Sequence, residues 1–323
     1  MVSLIGRGRR VAQSKLAILL GSLRRQPRYL MMRGLARFSF VRGMVPLCYG
    51  VWQRRRLNAL LDQLVDEKDQ SIFKDIDGDR LVADLSRDGV AFGLRLPDDV
   101  VSRLRQFADQ ADCYADRDAT KGFPLRKRAA AEKALGKPVL VAQYLNTLAA
   151  CPDIGKLASD PVLKKIACLY LKGIPRFVGV NMWWTFPVDA SREERDRHAH
   201  FFHRDVDDFR FFKFFFYLTD VVDGDGAHVC VLKSQGKPPV RSFLDRWNLR
   251  RYTDQEVAAT YPGEQIKVIQ GEAGTGFVED TWCLHKGSTP TSTPRLLLQL
   301  QFALNDYGVM HDVRDAARLK NIA

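Results

Sequence analysis

From residue 174 onward the chain is a succession of short runs rich in β-branched and aromatic residues: RFVGVNMWW, RFFKFFFYLTDV, AHVCVL, EQIKVIQ, GTGFVED and RLLLQLQFAL. Gly, Pro and Asp separate the runs, and one helix with a capping-box signature, Thr253 to Glu256, intervenes. Many short strands without alternating helices point to an antiparallel sandwich or barrel rather than a doubly wound parallel sheet. The residues before 174 read mostly as helix. DGVAFGLRL (88–96) reads as a strand, followed by a helix that Pro97 opens, with Asp98 and Asp99 in its first turn. Val100, Leu104, Phe107 and Ala111 give that helix one apolar face. A second helix starts at Asp160-Pro161, carries Leu163, Ile166, Tyr170 and Leu171, and stops at Gly173.

Charge divides the chain in two. Residues 1–60 hold 13 of the 50 Lys and Arg and no Asp or Glu, leaving 37 basic against 38 acidic residues in 61–323. The expected organisation is a basic N-terminal arm, 1–60, and a nearly neutral folded domain, 61–323, which gives no reason to expect nucleic acid as a partner. The most apolar stretch of the arm, LAILLGSL (16–23), is about half the length of a spanning helix. RYLMMRGLARFSFVRGMV suits a helix lying in an anionic headgroup layer, or a basic helix packed on its own body. Six scattered cysteines with no CxxC argue against a disulfide framework or zinc ribbon and fit a reducing compartment. The expected location is the cytoplasm, peripheral to a membrane through the arm. An Arg-rich, acid-free start also matches a mitochondrial transit peptide.

The chemistry-bearing residues lie in the strand-rich part. His203 and Asp205 flank Arg204, and on a strand residues i and i+2 point to one face. An imidazole and a carboxylate on one face make two-thirds of a facial triad for non-haem Fe(II). His285, 82 residues after His203, offers a third ligand, and Arg295 opens the last strong run ten residues later. A guanidinium matches a carboxylate bidentately, which suits the far carboxylate of a 2-oxoglutarate chelated through its keto-acid end. Alternation places Leu297, Gln299 and Gln301 on the face of Arg295, and two inward glutamines fit a wet pocket. Of the other histidines, His198 and His200 read as part of a solvated loop, DASREERDRHAH. His228 reads as structural, and His311 belongs to a polar tail. The HRD triplet does not open a kinase catalytic loop, because Arg210 stands where that motif needs Asn and no Gly-rich loop or DFG is present.

These segments carry a family resemblance. FHRDVDDFRFFKFFFYLTDVVDGDGAH resembles the H-x-D strand and LTDV turn of the phytanoyl-CoA dioxygenase family of Fe(II)/2-oxoglutarate oxygenases. GEAGTGFVEDTWCLHKGSTPTSTPRLLLQLQF is similar to its distal-histidine and arginine segment, and SRDGVAFGLRLPDDVVSRLRQF to its N-terminal strand and helix. The likeness covers most of 80–305. It implies a double-stranded β-helix (jelly-roll, cupin-like) core, mainly β with flanking helices. It also implies His203, Asp205 and His285 as iron ligands and Arg295 as the 2-oxoglutarate anchor, with Ser288 and Asn181 as further cosubstrate contacts. The implied reaction consumes O2 and 2-oxoglutarate, yields succinate and carbon dioxide, and hydroxylates an unidentified small-molecule or lipid- or glycan-linked substrate. Where many relatives carry Gly-Ser-His after the LTDV strand, this chain reads Leu232-Lys233-Ser234-Gln235, which bears on the local loop and the substrate rather than on the metal. A non-catalytic, cupin-like metal-binding or scaffold protein is the alternative; Arg295 argues against it, since an inert metal site has no use for a dicarboxylate anchor.

Overall fold

A computed structural model describes residues 26–235, 250–308 and 312–323. His311 lies outside the described residues, as does the LAILLGSL stretch of the arm. Eleven strands among the described residues run β1 (Val90–Arg95), β2 (Asp112–Ala115), β3 (Gly122–Pro124), β4 (Val141–Tyr144), β5 (Arg176–Thr185), β6 (Phe211–Tyr217), β7 (His228–Val231), β8 (Ile266–Ile269), β9 (Thr275–Glu279), β10 (His285–Gly287) and β11 (Arg295–Ala303). They form an eight-stranded sheet ordered β1-β9-β6-β11-β5-β4-β2-β3 and a three-stranded sheet ordered β10-β7-β8. All pairings between these strands are antiparallel.

Period-two alternation explains how the large sheet is packed on both faces. On β6, Phe212, Phe214 and Phe216 join Leu296, Leu298 and Leu300 of β11 in the core beneath the helices. The residues between them, Phe215, Tyr217 and Leu297, face the small sheet and pack with Cys230 and Ile269. Lys213 and Arg295 share that inward parity, so two cations point into the space between the sheets. The core on the helix side is closed by the helices Gly78–Asp88, Asp98–Gln110 and Pro161–Leu171. Asp160 caps the last of these, accepting from the amides of Val162 and Leu163, and also takes the hydroxyl of Ser71. The left-handed residue that ends this helix is Lys172, at φ 55°, one position before the expected Gly173.

The described part of the arm packs on the body as three helices, Pro27–Leu35, Ser39–Trp52 and Arg54–Asp66. Met32 and Ala36 are buried with Val206 and Trp282, Tyr49 Oη donates to Asn305 Oδ1 at 2.6 Å, and Gln53 Oε1 accepts from the amide of Ile174. The loop after Asp205 is pinned to the chain beyond β11 by Asp208. Its carboxylate accepts from the backbone and side-chain amides of Asn305, the backbone amide of Phe209 and the hydroxyl of Tyr307.

Burial of Asp208 pushes its carboxyl up from 3.8 to about 6 against these hydrogen bonds. The folded state therefore holds a proton that the unfolded chain has already released, and stability falls as pH rises from about 4 to 6. Relative to wild type, Asp208→Asn should gain on the order of 3 kcal/mol across that window, with the two slopes parallel above it. Urea unfolding at a series of pH values measures the difference.

Candidate metal centre and its cavity

His203 and His285 meet backbone to backbone. The amide of His203 donates to His285 O at 2.9 Å and the amide of His285 to His203 O at 3.1 Å, which adds residue 203 to the edge of the small sheet beside β10. The sequence places the His203–Asp205 pair on a regular strand; the structure instead has a single bridge at His203 and an irregular path through 204–210. Convergence survives because other bonds fix that path. The amide of Asp205 donates to Thr281 O, and the Arg204 guanidinium donates to Trp282 O and Ser234 O. Ser234, in the segment that departs from the family pattern, also accepts the Leu284 amide at its hydroxyl. Leu232–Gln235 thus ties the loop carrying Asp205 to the approach of His285.

Ligand atoms of His203, Asp205 and His285 all lie within 4.8 Å of one another. His203 Nε2 is 3.6 Å from Asp205 Oδ1, and His285 Nε2 is 3.5 Å from Asp205 Oδ2. Each imidazole has its Nδ1 at 3.0 Å from a carbonyl, Phe201 O and Cys283 O respectively. A carbonyl only accepts, so each Nδ1 carries a hydrogen, and in the neutral ring Nε2 then presents its lone pair to the centre. Burial and the neighbouring His285 push His203 well below its usual value, so this ring stays neutral. Burial opposes charge on His285 too, but Glu279 and Asp205 outweigh it and raise this ring. Carboxylates that stabilise a proton there also stabilise a cation between the rings. Two neutral-donor nitrogens and one carboxylate oxygen are a donor set that fits Fe(II).

Lys213, on β6, completes the electrostatics. Its Nζ donates to Asp205 Oδ2 at 2.6 Å and lies 3.5 Å from Asp207 Oδ2. Burial disfavours the Asp205 charge, yet Lys213 and His285 hold its carboxyl well below the usual range. Lys213→Met should destabilise the metal-free protein by about 3–5 kcal/mol, because a buried carboxylate loses its counter-charge. A divalent cation should then restore more stability to the variant than it adds to wild type, which thermal melts with and without metal will show.

Around these groups lies a cavity of about 230 Å³. Arg295 lines it, 2% exposed, with Nη1 donating to Gly226 O and Nη2 3.4 Å from Thr185 Oγ1. It has no ion-pair partner among the described residues, and its Nε and the Nε2 of Gln299 are buried without a hydrogen-bond partner there. A buried guanidinium without an anion is costly, and a ligand carboxylate would relieve that cost. Gly287 makes the room, since a Cβ on it would sit 3.2 Å from Arg295 Nη2. Asn181 also lines the cavity, its Oδ1 accepting from Gln143 Nε2 at 2.9 Å. Gln301 instead binds Asp207, with Nε2 donating to Oδ2.

Ser288 does not line this cavity; it faces a neighbouring groove with Val268 and Thr291, because the strand has passed the cavity rim by residue 288. His198 and His200, expected in a solvated loop, are buried and line the cavity. The six-residue helix Arg192–Arg197 carries the exposed charges, Arg197 reaching the cavity rim, and Ala199, at φ 64°, turns the chain inward after it. His200 Nδ1 lies 2.8 Å from Thr289 Oγ1, and burial together with Arg295 lowers its pKa to about 3. His228 is buried against Glu279, with Nε2 2.7 Å from its carboxylate. Charged lining residues not expected at the site from sequence are Lys213, Arg117, Arg197, Arg251 and Asp207. Lys213 alone left a signal, a charge at inward parity in an otherwise aromatic strand.

No family model matches the chain, and no curated protein does. Among solved structures the chain is similar to HygX from Streptomyces hygroscopicus with nickel, 2-oxoglutarate and hygromycin B bound, at 14% identity and TM-score 0.50, over 75% of this chain and 94% of that one. It also matches the epimerase SnoN from nogalamycin biosynthesis in complex with Fe3+, alpha ketoglutarate and nogalamycin RO (14% identity, TM-score 0.48, 72% and 87%). A third match is EctD from S. alaskensis with bound Fe (17%, 0.44, 69% and 75%). Taken with the two antiparallel sheets and their flanking helices, the similarity to HygX places this chain in the cupin-like jelly-roll fold.

Proposed function

We propose that this chain is a non-haem Fe(II)- and 2-oxoglutarate-dependent oxygenase of the phytanoyl-CoA dioxygenase-like kind, acting on a small molecule. The observation that carries this reading is one cavity holding both halves of the required site. The His203, Asp205 and His285 donors stand within 4.8 Å of one another, and Arg295 lies buried there without an anion. When bound, iron with 2-oxoglutarate and O2 supplies the oxidising chemistry, yielding succinate, carbon dioxide and an oxidised substrate C–H bond.

The chain contributes position and charge. Hydrogen bonds to Phe201 O and Cys283 O hold the two imidazoles in the tautomer that leaves Nε2 free for iron. Lys213 occupies Asp205 Oδ2, which leaves Oδ1 for ligation and restrains the carboxylate from rotating. Arg295 takes the far carboxylate of 2-oxoglutarate, with Asn181, Gln299 and neutral His200 as further polar groups of the cavity. Trp183, Phe215 and Leu297 supply apolar wall.

The substrate of this reading is an anion. Of the cationic side chains lining the cavity, Arg197 and Arg251 pair with Glu193 and Asp196 outside it, which leaves Arg117, Lys213 and Arg295 against two carboxylates, Asp205 and Asp207. A divalent iron and the two carboxylates of 2-oxoglutarate cancel, so the positive surplus is left for the substrate. Asp116 at φ 56° and Arg117 at φ 62° are the central pair of a tight turn closed by the Asp118 amide donating to Ala115 O, which sets Arg117 at the cavity wall. The test is O2-dependent conversion of 2-oxoglutarate to succinate by the Fe(II)-loaded protein, with and without added small molecules. Stimulation should be confined to carboxylates and phosphates. Absence of any conversion, or stimulation by cations alone, contradicts the reading.

A further inference from the structure

The solvent side of the helix Ser39–Trp52 is apolar where a surface helix should be polar. Its exposed positions fall in pairs four residues apart, 39/40, 43/44, 47/48 and 51/52, and none of those eight residues is charged. Phe40 (74% exposed), Met44, Leu47, Val51 (80%) and Trp52 (80%) form the stripe, and Met31 and Leu35 of the preceding helix add to the exposed apolar surface. The one charged residue of the helix, Arg42, is turned inward, its guanidinium 3.9 Å over the Trp282 ring. This helix is inside out with respect to water.

Charge decides what covers it. Arg54, Arg55 and Arg56 follow the stripe, all exposed and without an ion-pair partner among the described residues. Residues 26–60 contain no Asp or Glu. A second copy would bring the same positive face against this one, and like charges at an interface are costly. An apolar stripe bordered by unpaired arginines fits the boundary between acyl chains and anionic headgroups.

We propose that the face formed by Met31, Leu35, Phe40, Met44, Leu47 and Val51, bordered by Arg54–Arg56, docks the protein on an anionic lipid surface. The contact is peripheral, since no helix among the described residues is long and apolar enough to cross a membrane. The docking helices are fixed to the body, with Met32 and Ala36 buried against Val206 and Trp282 and Arg42 over the Trp282 ring. The proposal stands independently of the oxygenase reading.

The experiment uses the full chain and vesicles of phosphatidylcholine, alone or with roughly one-third phosphatidylglycerol. The protein should sediment with the anionic vesicles, less so as salt rises, and hardly at all with neutral ones. Arg54→Gln with Arg55→Gln and Arg56→Gln should weaken partitioning by about 100-fold, since each arginine near such a surface contributes about fivefold. Leu47→Glu should weaken it comparably while leaving metal-free unfolding unchanged. Trp52 gives a direct signal, a blue shift of emission on vesicle addition that is missing from Trp52→Phe. Vesicle binding unaffected by Leu47→Glu and by the arginine replacements overturns the proposal. So does a concentration-dependent dimer in light scattering that Leu47→Glu dissolves, which would assign the face to a second copy.

Discussion

His285→Ala lowers Fe(II) affinity by more than about 100-fold and reduces succinate formation to background. Removing even the outer hydrogen-bond partner of a ligating histidine typically costs 10–100-fold in metal affinity, so removing the ligand itself costs more. The side chain is buried between Asp205 and His228, and its Nε2 is one of three donors within 4.8 Å. The fold should persist, because the bonds that join residues 203 and 285 run through the backbone and the pairing of β10 with β7 uses no imidazole atom. Equilibrium binding of Fe(II) under anaerobic conditions, with far-ultraviolet circular dichroism as the control, checks both parts. His203→Ala should behave alike; the two differ only in that His203 is neutral before metal binds while His285 is held toward its charged form.

Arg295→Gln raises the Kd for 2-oxoglutarate by at least about 100-fold and leaves metal affinity close to wild type. A fully desolvated charge pair broken at one partner costs about 3–5 kcal/mol, which is roughly two to three and a half orders of magnitude in affinity. Arg295 is positioned for that effect: buried, lacking any carboxylate among the described residues, and with its Nε unsatisfied. A ligand that binds only the folded state stabilises it by mass action. The rise in Tm produced by 2-oxoglutarate in wild type should therefore vanish in the variant at the same ligand concentration. Calorimetric titration of the metal-loaded protein separates this loss from any loss of metal.

Much of this arrangement was legible in the chain because alternation governs it. RLLLQLQFAL and RFFKFFFYLTDV became β11 and β6, and their parity predicts which side chains turn toward the cavity, Arg295 and Gln299 included. The capping box at Thr253–Glu256 and the Asp160 cap were readable because they depend on contacts a few residues apart. What escaped were features set by distant contacts. β2, β3 and β4 are four, three and four residues long, too short to show a period, and exist as extensions of the sheet beyond β5. The burial of His198 and His200 rests on a turn at Ala199 and on Thr289 and Asp116, which lie far from them in sequence. Ser288 follows the distal histidine closely, but three residues along an extended chain carry a side chain about 10 Å, here into another groove. Lys213 carried a signal in its parity, yet only the structure shows that Asp205 is its partner.

The central claim is that Fe(II) and 2-oxoglutarate bind together in this one cavity, and a single spectrum tests it. Anaerobic addition of Fe(II) and 2-oxoglutarate to the full-length protein should produce the weak visible charge-transfer absorption of a chelated keto acid. That absorption should be absent from His285→Ala and should appear in Arg295→Gln only at much higher 2-oxoglutarate. Wild-type protein that shows no such band at saturating concentrations of both, or a band that persists undiminished in His285→Ala, would contradict the account.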